Sequence, residues 1–472
     1  MNKFFELEKH GTTVKTEILA GITTFMAMAY ILMVNPGMFS TLNPDSNLYG
    51  AVYIATALSA VIGTLLIGLL SNLPLAQASG MGLNAFFVYT VCLTLGFSYA
   101  NALLFVLFDG IIFIILTVTG LRKIIFNAIP SAVKKAIPAG IGLFIAFLGL
   151  QDAKIIVANA STGVTLASFN FLGDATWASV MPMLVTIAVL IAIAVLSKKG
   201  VKGAILWSIL AGTAVYYLLG LTVNGFYTDF FAGKTMNPLT AFADFGKLSF
   251  GKVFTEGFDF SGYLGIEGNS VGSLIIAIVT TALAFCMVDM FDTLGTLYGA
   301  CRSGNLLVKN ENGEDEVPNM ERAMLADAIA TCTGAVCGTS TVTTFVESSS
   351  GVAAGGRTGL SSISTAALFL VSLFLAPVAA LIPACSYAAA LIYVGILMIG
   401  CVKEIDWSDP IEALPSFLTI TMMPFSYNIS YGIAFGLISY VFLKLFTGKV
   451  KEINIGTWVI TALFAAMFFL TH

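Results

Sequence analysis

Apolar runs of helix-spanning length, cut by charged or turn-forming residues, recur from one end of the chain to the other. A membrane-crossing helix needs roughly 20 apolar residues, and the runs predict segments at 17–35, 50–70, 79–92, 99–119, 131–150, 177–197 and 203–221. A more polar stretch, 222–270, interrupts the series. A second set follows at 271–300, 321–338, 347–358, 361–380, 386–402, 410–424 and 428–446, and a last apolar run, 455–470, spans the bilayer or lies on its surface. The runs are continuous rather than alternating, which argues against a β-barrel. The pattern predicts an all-α polytopic membrane protein.

Two segments are too short to cross alone, SGMGLNAFFVYTVC (79–92) and ESSSGVAAGGRT (347–358). Each is rich in Gly and Ser and follows an extended-looking piece, PLAQA (74–78) and TVTTF (341–345). They hold the third place in each group of seven, so they are segments 3 and 10 of fourteen. Short, glycine-interrupted segments at matching places in two halves point to a midplane binding site in a transporter. Two further pairs share small-residue spacing in the same order: AGIGLFIAFLGLQDA (139–153) with AALIYVGILMIGCVKE (389–404), and KGAILWSILAG (202–212) with YGIAFGLISYV (431–441). The chain therefore reads as two repeats of seven segments, and an odd number per repeat makes them inverted.

Composition narrows the picture. Of 472 residues, 58% are hydrophobic and 10% charged, where a soluble domain carries about 25% charge. A water-soluble enzyme of this length is excluded. The net charge of −4, with no basic cluster, gives no footprint for nucleic acid. The seven cysteines form no C-x-x-C pair and read as free thiols packed like small hydrophobes. The mixed, polar start of the chain reads as no cleavable signal peptide. With the N-terminus inside, 18 of the 22 basic residues fall on the cytoplasmic side, leaving Lys154, Lys234, Lys247 and Lys252 outside. This asymmetry sets the orientation.

Carboxylates inside apolar helices are costly and each needs a partner or a task. Five stand out: Asp109, Asp289, Asp292, Asp327 and Glu347. Asp289 and Asp292 lie three apart, so both can face one side of segment 8. Like charges so close resist ionising together, which suits proton exchange. Asp292 is as readily read as bonding a neighbouring helix end, and Asp109 and Asp327 as structural. Glu347 opens the short segment 10, and Asn84 holds the comparable place in segment 3, where Gly80 and Gly82 permit close backbone approach. Phe86 and Phe87 beside Asn84, and Phe345 beside Glu347, are candidates to sandwich a flat ring, although with 37 phenylalanines in the chain any single one reads first as lipid-facing or core. Both histidines, His10 and His472, fall outside every predicted segment, so any proton coupling has to use carboxylates. Paired aspartates also occur in intramembrane aspartyl hydrolases, but their G-x-G-D motif is absent: Leu83 and Asn84 follow Gly82.

The motifs TEILAGITTFMAMAYILMVNP, GMGLNAFF, VDMFDTLGTLYG and GTSTVTTFVESSSGVAAGGRTG resemble those of the azaguanine-type purine permeases, the hypoxanthine/guanine branch of the nucleobase–ascorbate transporter superfamily. The resemblance covers nearly the whole chain. It implies fourteen spans as two inverted seven-helix repeats, with segments 3 and 10 each a short strand continued by a half-helix. It also implies a core domain from 1–120 and 271–384, a gate domain from 121–222 and 385–454, an external connection at 223–270 and a C-terminal apolar segment at 455–472. Carried over residue by residue, it gives Glu347 and Asp289 as substrate or coupling residues supported by Asn84; beside that carry-over, Phe345 and Thr293 are further substrate-contact candidates and Asp292 a further coupling candidate. The uracil branch of the superfamily has Glu and then His four residues later in segment 8. Here those places are Asp289 and Thr293, so that branch's proton mechanism does not transfer unchanged.

The expected function is proton-coupled import of purine bases across the cytoplasmic membrane, guanine and hypoxanthine ahead of adenine. Uracil, xanthine or an anion on the same fold are the alternatives. The expected partners are the purine, protons (sodium being the other candidate ion) and the lipid bilayer, with a homodimer compatible. No cofactor or metal is expected. A cysteine placed at Asn237 should react with an impermeant reagent on intact cells, and one placed at Asn310 should not. The reverse pattern would invert the orientation.

Overall fold

Each of the fourteen apolar segments is helical in the computed structural model, which describes residues 2–43, 47–120, 129–231, 237–267, 269–303, 306–309 and 315–470. Arg122, Lys123, Lys234, Asn310 and His472 lie outside the described residues. Segment 1 is broken into Val14–Met28 and Ile31–Ser40, and segment 2 is Leu48–Ser71. Segment 4 is Tyr99–Thr119, segment 5 Ser131–Asp152, segment 6 Trp177–Lys198 and segment 7 Ala204–Gly220. In the second half, segment 8 is Val271–Ser303 and segment 9 Met320–Cys337. Segment 11 starts at Gly359–Ser372, segment 12 is Ala384–Met398 with a 3₁₀ extension, segment 13 Pro410–Phe425 and segment 14 Ile429–Phe446. A terminal helix, Ile455–Leu470, follows. Among the described residues, nine helices are long and apolar enough to cross a membrane.

Among the described residues, three two-stranded ribbons interrupt the helices. In chain order the strands are β1 (Gln77–Ser79), β2 (Ile156–Asn159), β3 (Gly163–Leu166), β4 (Val308–Lys309), β5 (Asp315–Glu316) and β6 (Val342–Thr344), paired β1–β6, β2–β3 and β4–β5. The β2–β3 hairpin joins segments 5 and 6 and is not foreseen in the hydropathy pattern, because its strands are short and mostly exposed. The described residues of 222–270 are likewise more ordered than their polar composition suggests. They carry short helices and dock on the ends of segments 4 and 9: Asn101 donates to the carbonyls of Gly257 and Asp259, each at 2.9 Å. The Gly251 N–H bonds the Val336 carbonyl at 2.9 Å.

The β1–β6 pair holds the two halves together. It is antiparallel, with Gln77 opposite Thr344, Ala78 opposite Thr343 and Ser79 opposite Val342. Two flanking bonds lengthen it, Gly80 N–H to Thr341 O at 2.9 Å and Phe345 N–H to Ala76 O at 3.0 Å. Antiparallel pairing of equivalent strands is what inverted repeats demand. A second correspondence lies in the helices alongside. The Thr64 hydroxyl of segment 2 bonds both the N–H and the carbonyl of Gln77, at 3.0 Å each. The Thr331 hydroxyl of segment 9 does the same for Val342, at 3.3 Å each. Each threonine thus satisfies the free edge of the first residue in its strand, where no water is available to do so.

The helices pack mainly in two sets: segments 1, 2, 4 and 8–11 with one another, and segments 5–7 with 12–14. Small residues bring backbones close in the second set, as a Cβ on Gly142 would stand 3.0 Å from the Gly395 carbonyl oxygen. Glu17, fully buried in segment 1, accepts from the backbone N–H groups of Arg357 (2.9 Å) and Ser361 (3.2 Å) and from the Ser361 hydroxyl (2.5 Å). That bond set caps the start of segment 11.

Thr64→Val keeps the shape and leaves a buried N–H and carbonyl of Gln77 with one partner fewer, so unfolding stability in detergent should fall by about 1–3 kcal/mol. Thr331→Val should cost a similar amount by the repeat symmetry, and Thr331→Ser should stay near the parent. Thermal unfolding of the three variants checks this; a neutral Thr64→Val would remove the edge-satisfaction argument.

Candidate functional site

Beyond the ribbon, each strand turns into a short helix. The β1 strand continues through Met81–Ala85 into a π-helix at Phe86–Thr94, and β6 continues into Ser348–Ala353 with Glu347 at its N-cap position. The polar Gln, Ser and Thr side chains of this crossing bond to their surroundings. Gln77 donates to Asp327 Oδ1 at 2.9 Å and to Thr344 Oγ1 at 3.2 Å. Ser79 and Thr339 share a hydroxyl–hydroxyl bond at 2.7 Å. Gly80 cannot carry a side chain here, since a Cβ would stand 2.8 Å from Thr343 Oγ1.

A cavity of about 780 Å³ opens beside this crossing, within the roughly 300–1,000 Å³ usual for small-molecule sites. Tyr30, Gly80, Asp292, Thr343, Phe345 and Glu347 line its inner part. Lys134, Lys135, Arg302 and Glu404 line its outer part; they sit at the start of segment 5 and the ends of segments 8 and 12. At the opposite end of the same helices the two sets touch. The Thr90 hydroxyl bonds the Tyr427 carbonyl at 2.8 Å, Tyr427 Oη bonds Gln151, and Phe147 packs edge-on against the Tyr427 ring at 5.4 Å.

The residues singled out from sequence divide between the cavity wall and the layer behind it. Glu347 lies on the wall, 8% exposed, and accepts from Tyr30 Oη at 2.6 Å. Phe345 and Asp292 share that wall, and Thr343 Oγ1 donates to Asp292 Oδ2 at 3.3 Å. Asp289, three residues before Asp292, does not line the cavity. It is fully buried, and neither carboxylate oxygen has a hydrogen-bond partner among the described residues. Asp109, on segment 4, is in the same condition.

Thr293 also lies behind the wall. Its hydroxyl donates to Asp327 Oδ2 at 2.7 Å, so Asp327 ties segment 8 and β1 to segment 9. Asn84 is fully buried, accepts from the Ser340 hydroxyl and donates to the Ser79 carbonyl at 3.3 Å. It joins the two strand-bearing segments rather than facing the cavity. Phe86 and Phe87 pack on Phe285 (4.8 Å) and Phe39 (4.8 Å), away from the wall. Among the described residues no cluster of three or more His, Cys, Asp or Glu is placed to hold a metal ion.

Tyr30 is the wall residue that hydropathy conceals, because a tyrosine inside MAMAYILMV reads as one more apolar position. The break at Ala29–Tyr30, where the Met33 and Val34 N–H groups both bond the Tyr30 carbonyl at 3.0 Å, is where the phenol leaves the helix line.

Known proteins with this sequence pattern are transporters. A family model described as the Permease family matches residues 15–435. A putative permease of Methanocaldococcus jannaschii is 42% identical over 99% of this chain and 98% of its own length. The guanine/hypoxanthine permease PbuO of Bacillus subtilis is 37% identical over 99% of each chain. Adenine permease AdeQ of Escherichia coli is 34% identical over 98% of this chain and 95% of its own. Among solved structures, the transmembrane domain of the cyanobacterial bicarbonate transporter BicA superposes with a TM-score of 0.57 at 17% identity, covering 88% of this chain and 97% of that one. The murine Solute Carrier 26 family member A9 anion transporter in its inward-facing state gives 0.57 at 12%, covering 92% of this chain and 68% of that one. These two share the fold, an inverted-repeat helical transporter. The sequence matches go further: this chain is a multi-pass membrane transporter, not an enzyme, and it belongs to the nucleobase permease superfamily.

Proposed function

We propose that this chain is a proton-coupled importer of oxopurine bases, guanine and hypoxanthine, with fourteen crossings of the cell membrane and a cytoplasmic N-terminus. The observation that carries the reading is Glu347, a carboxylate on the wall of a purine-sized cavity at the crossing of the two repeats. Guanine presents N1–H and its 2-amino group side by side, and a carboxylate accepts such a pair through both oxygens. Phe345 supplies an aromatic neighbour on the same wall. A second carboxylate there, Asp292, disfavours anionic cargo and so separates this site from the bicarbonate and anion carriers of the same fold.

The cytoplasmic end of the cavity is the one lined by Lys134, Lys135 and Arg302, in keeping with the basic-residue asymmetry. The structure then corresponds to the inward-facing state. Segments 1–4 and 8–11 move as one body against segments 5–7 and 12–14, and the Thr90–Tyr427 contact parts when the site turns outward. Neither histidine lies in a segment, so the coupled proton is carried by carboxylates, Asp289 foremost. A second reading, adenine import, draws on the 34% identity to an adenine permease over 98% of this chain.

Uptake of labelled guanine, hypoxanthine, adenine, uracil and bicarbonate into vesicles with an imposed pH gradient tests both readings. Guanine and hypoxanthine should accumulate and bicarbonate should not; preferred uptake of adenine would establish the second reading. Glu347→Gln replaces an acceptor oxygen by an NH₂ donor, and losing a charge-assisted bond costs about 1.5–3 kcal/mol, roughly ten- to a hundred-fold in guanine affinity. Hypoxanthine, which lacks the 2-amino group, should suffer less. Unchanged guanine binding by that variant would remove Glu347 from the site.

The coupling assignment has its own checks. Asp289→Asn should impair gradient-driven uptake of both purines alike while sparing equilibrium binding. Replacing His10 and His472 together by Ala should leave the pH dependence of uptake as it is. Loss of the acid stimulation in that double variant would contradict the carboxylate assignment.

A further inference from the structure

Tyr30 is held by a single long-range bond. Its ring is 1% exposed at the break in segment 1, it lines the cavity, and its hydroxyl donates to Glu347 Oε1 at 2.6 Å across 317 residues of sequence. A phenol has one proton to give. With that proton committed to Glu347, what Tyr30 turns toward the cavity is an acceptor lone pair. An ionised carboxylate is likewise acceptor-only. On the lining of the same cavity, the Thr343 hydroxyl proton is committed to Asp292. Of the lining residues, these two thus turn acceptors to the cavity with their protons committed inward, whereas Ser349 and Tyr298 bring further hydroxyls to the same cavity.

Nucleobases differ at the edge such a wall would meet. Oxopurines carry a proton on N1, whereas adenine has a lone pair there. Lone pair against lone pair leaves both groups unpaired in a dry site, and unpaired polar groups discriminate more strongly than missing contacts do. We infer that Tyr30 is a specificity-determining residue: its hydroxyl, by donating to Glu347, holds that carboxyl in place as an acceptor pair and so favours bases that carry N1–H over bases that do not. The bond also fixes the plane of the carboxyl group, so that both oxygens are presented in one orientation. This inference rests on the purine reading above.

The experiment measures equilibrium binding of guanine, hypoxanthine and adenine to the purified full chain in lipid nanodiscs. Parent, Tyr30→Phe, Glu347→Gln and the double variant are compared. Tyr30→Phe removes one oxygen from a packed ring, and it should reduce the guanine-over-adenine preference by about tenfold, the effect of one charge-assisted bond. In the Glu347→Gln background the same change should alter the preference little, because residues that act as a unit are not additive. A purely structural tyrosine would lower all affinities together and add its effect in both backgrounds; either result overturns the inference. Glu347→Asp supplies a second route should Tyr30→Phe fold poorly. It withdraws the carboxyl from the phenol by one methylene with the charge retained, and should cost a similar loss of preference. A parent that prefers adenine would also overturn the inference while leaving purine transport in place. A parent that binds no purine would instead refute the reading on which the inference rests.

Discussion

Unpaired backbone is the constraint on which this structure depends. A two-stranded ribbon inside a membrane protein has two free edges, and each N–H or carbonyl left without a partner there costs several kcal/mol. The fold answers with side chains from the surrounding helices. Thr64 and Thr331 each serve one strand residue on both sides. Ser362 donates to the carbonyls of Leu73 (2.7 Å) and Leu75 (2.6 Å), and the Ala76 N–H bonds Ser348 Oγ at 3.0 Å. The ribbon therefore cannot shift without breaking bonds to segments 2, 9, 10 and 11 together. Phe345, Thr343 and Glu347 take their positions from it, and so does the wall of the cavity.

Buried charge is handled by the same economy of partners. Asp327 accepts from Gln77 and Thr293 and ties three elements together, whereas Glu17 accepts from the turn that opens segment 11. Asp289 and Asp109 stand apart from both, fully buried with no hydrogen-bond partner among the described residues. A polar group kept unpaired in an apolar interior is expensive, a cost that Asp327 and Glu17 avoid through their donors. Asp292 and Glu347, by contrast, reach the cavity with one hydroxyl donor each.

The bicarbonate transporter BicA shares this architecture at 17% identity. A fold does not fix a cargo; the groups grafted at its site do. Here the crossing of the repeats presents two carboxylates, a phenol and a phenylalanine to the cavity, a set matched to a flat, neutral molecule rich in N–H donors. The basic residues stand only at the cavity's wider end, in Lys134, Lys135 and Arg302.

Much of this was legible along the chain. Apolar runs have to match the bilayer's thickness, so segment number and length are written in hydropathy, and Gly- and Ser-rich interruptions betray where helices cannot continue. The β6 strand fell inside TVTTF, β1 overlapped the last two residues of PLAQA and ran one beyond it, and Glu347 was visible as a carboxylate opening a half-helix. What the sequence could not decide is which side chains meet. Asp289 and Asp292 differ by roughly 60° around their helix, and only the packing of segments 4 and 9 on one flank and the cavity on the other separates them. Thr293 and Asn84 have the spacing of site residues, yet Asp327 and Ser340 claim them from elsewhere in the chain. Tyr30 shows the limit most clearly: its partner lies 317 residues away. Periodicity and charge are local quantities, set by solvent and membrane, whereas a hydrogen bond between distant segments exists only once tertiary packing has fixed where both of its ends lie.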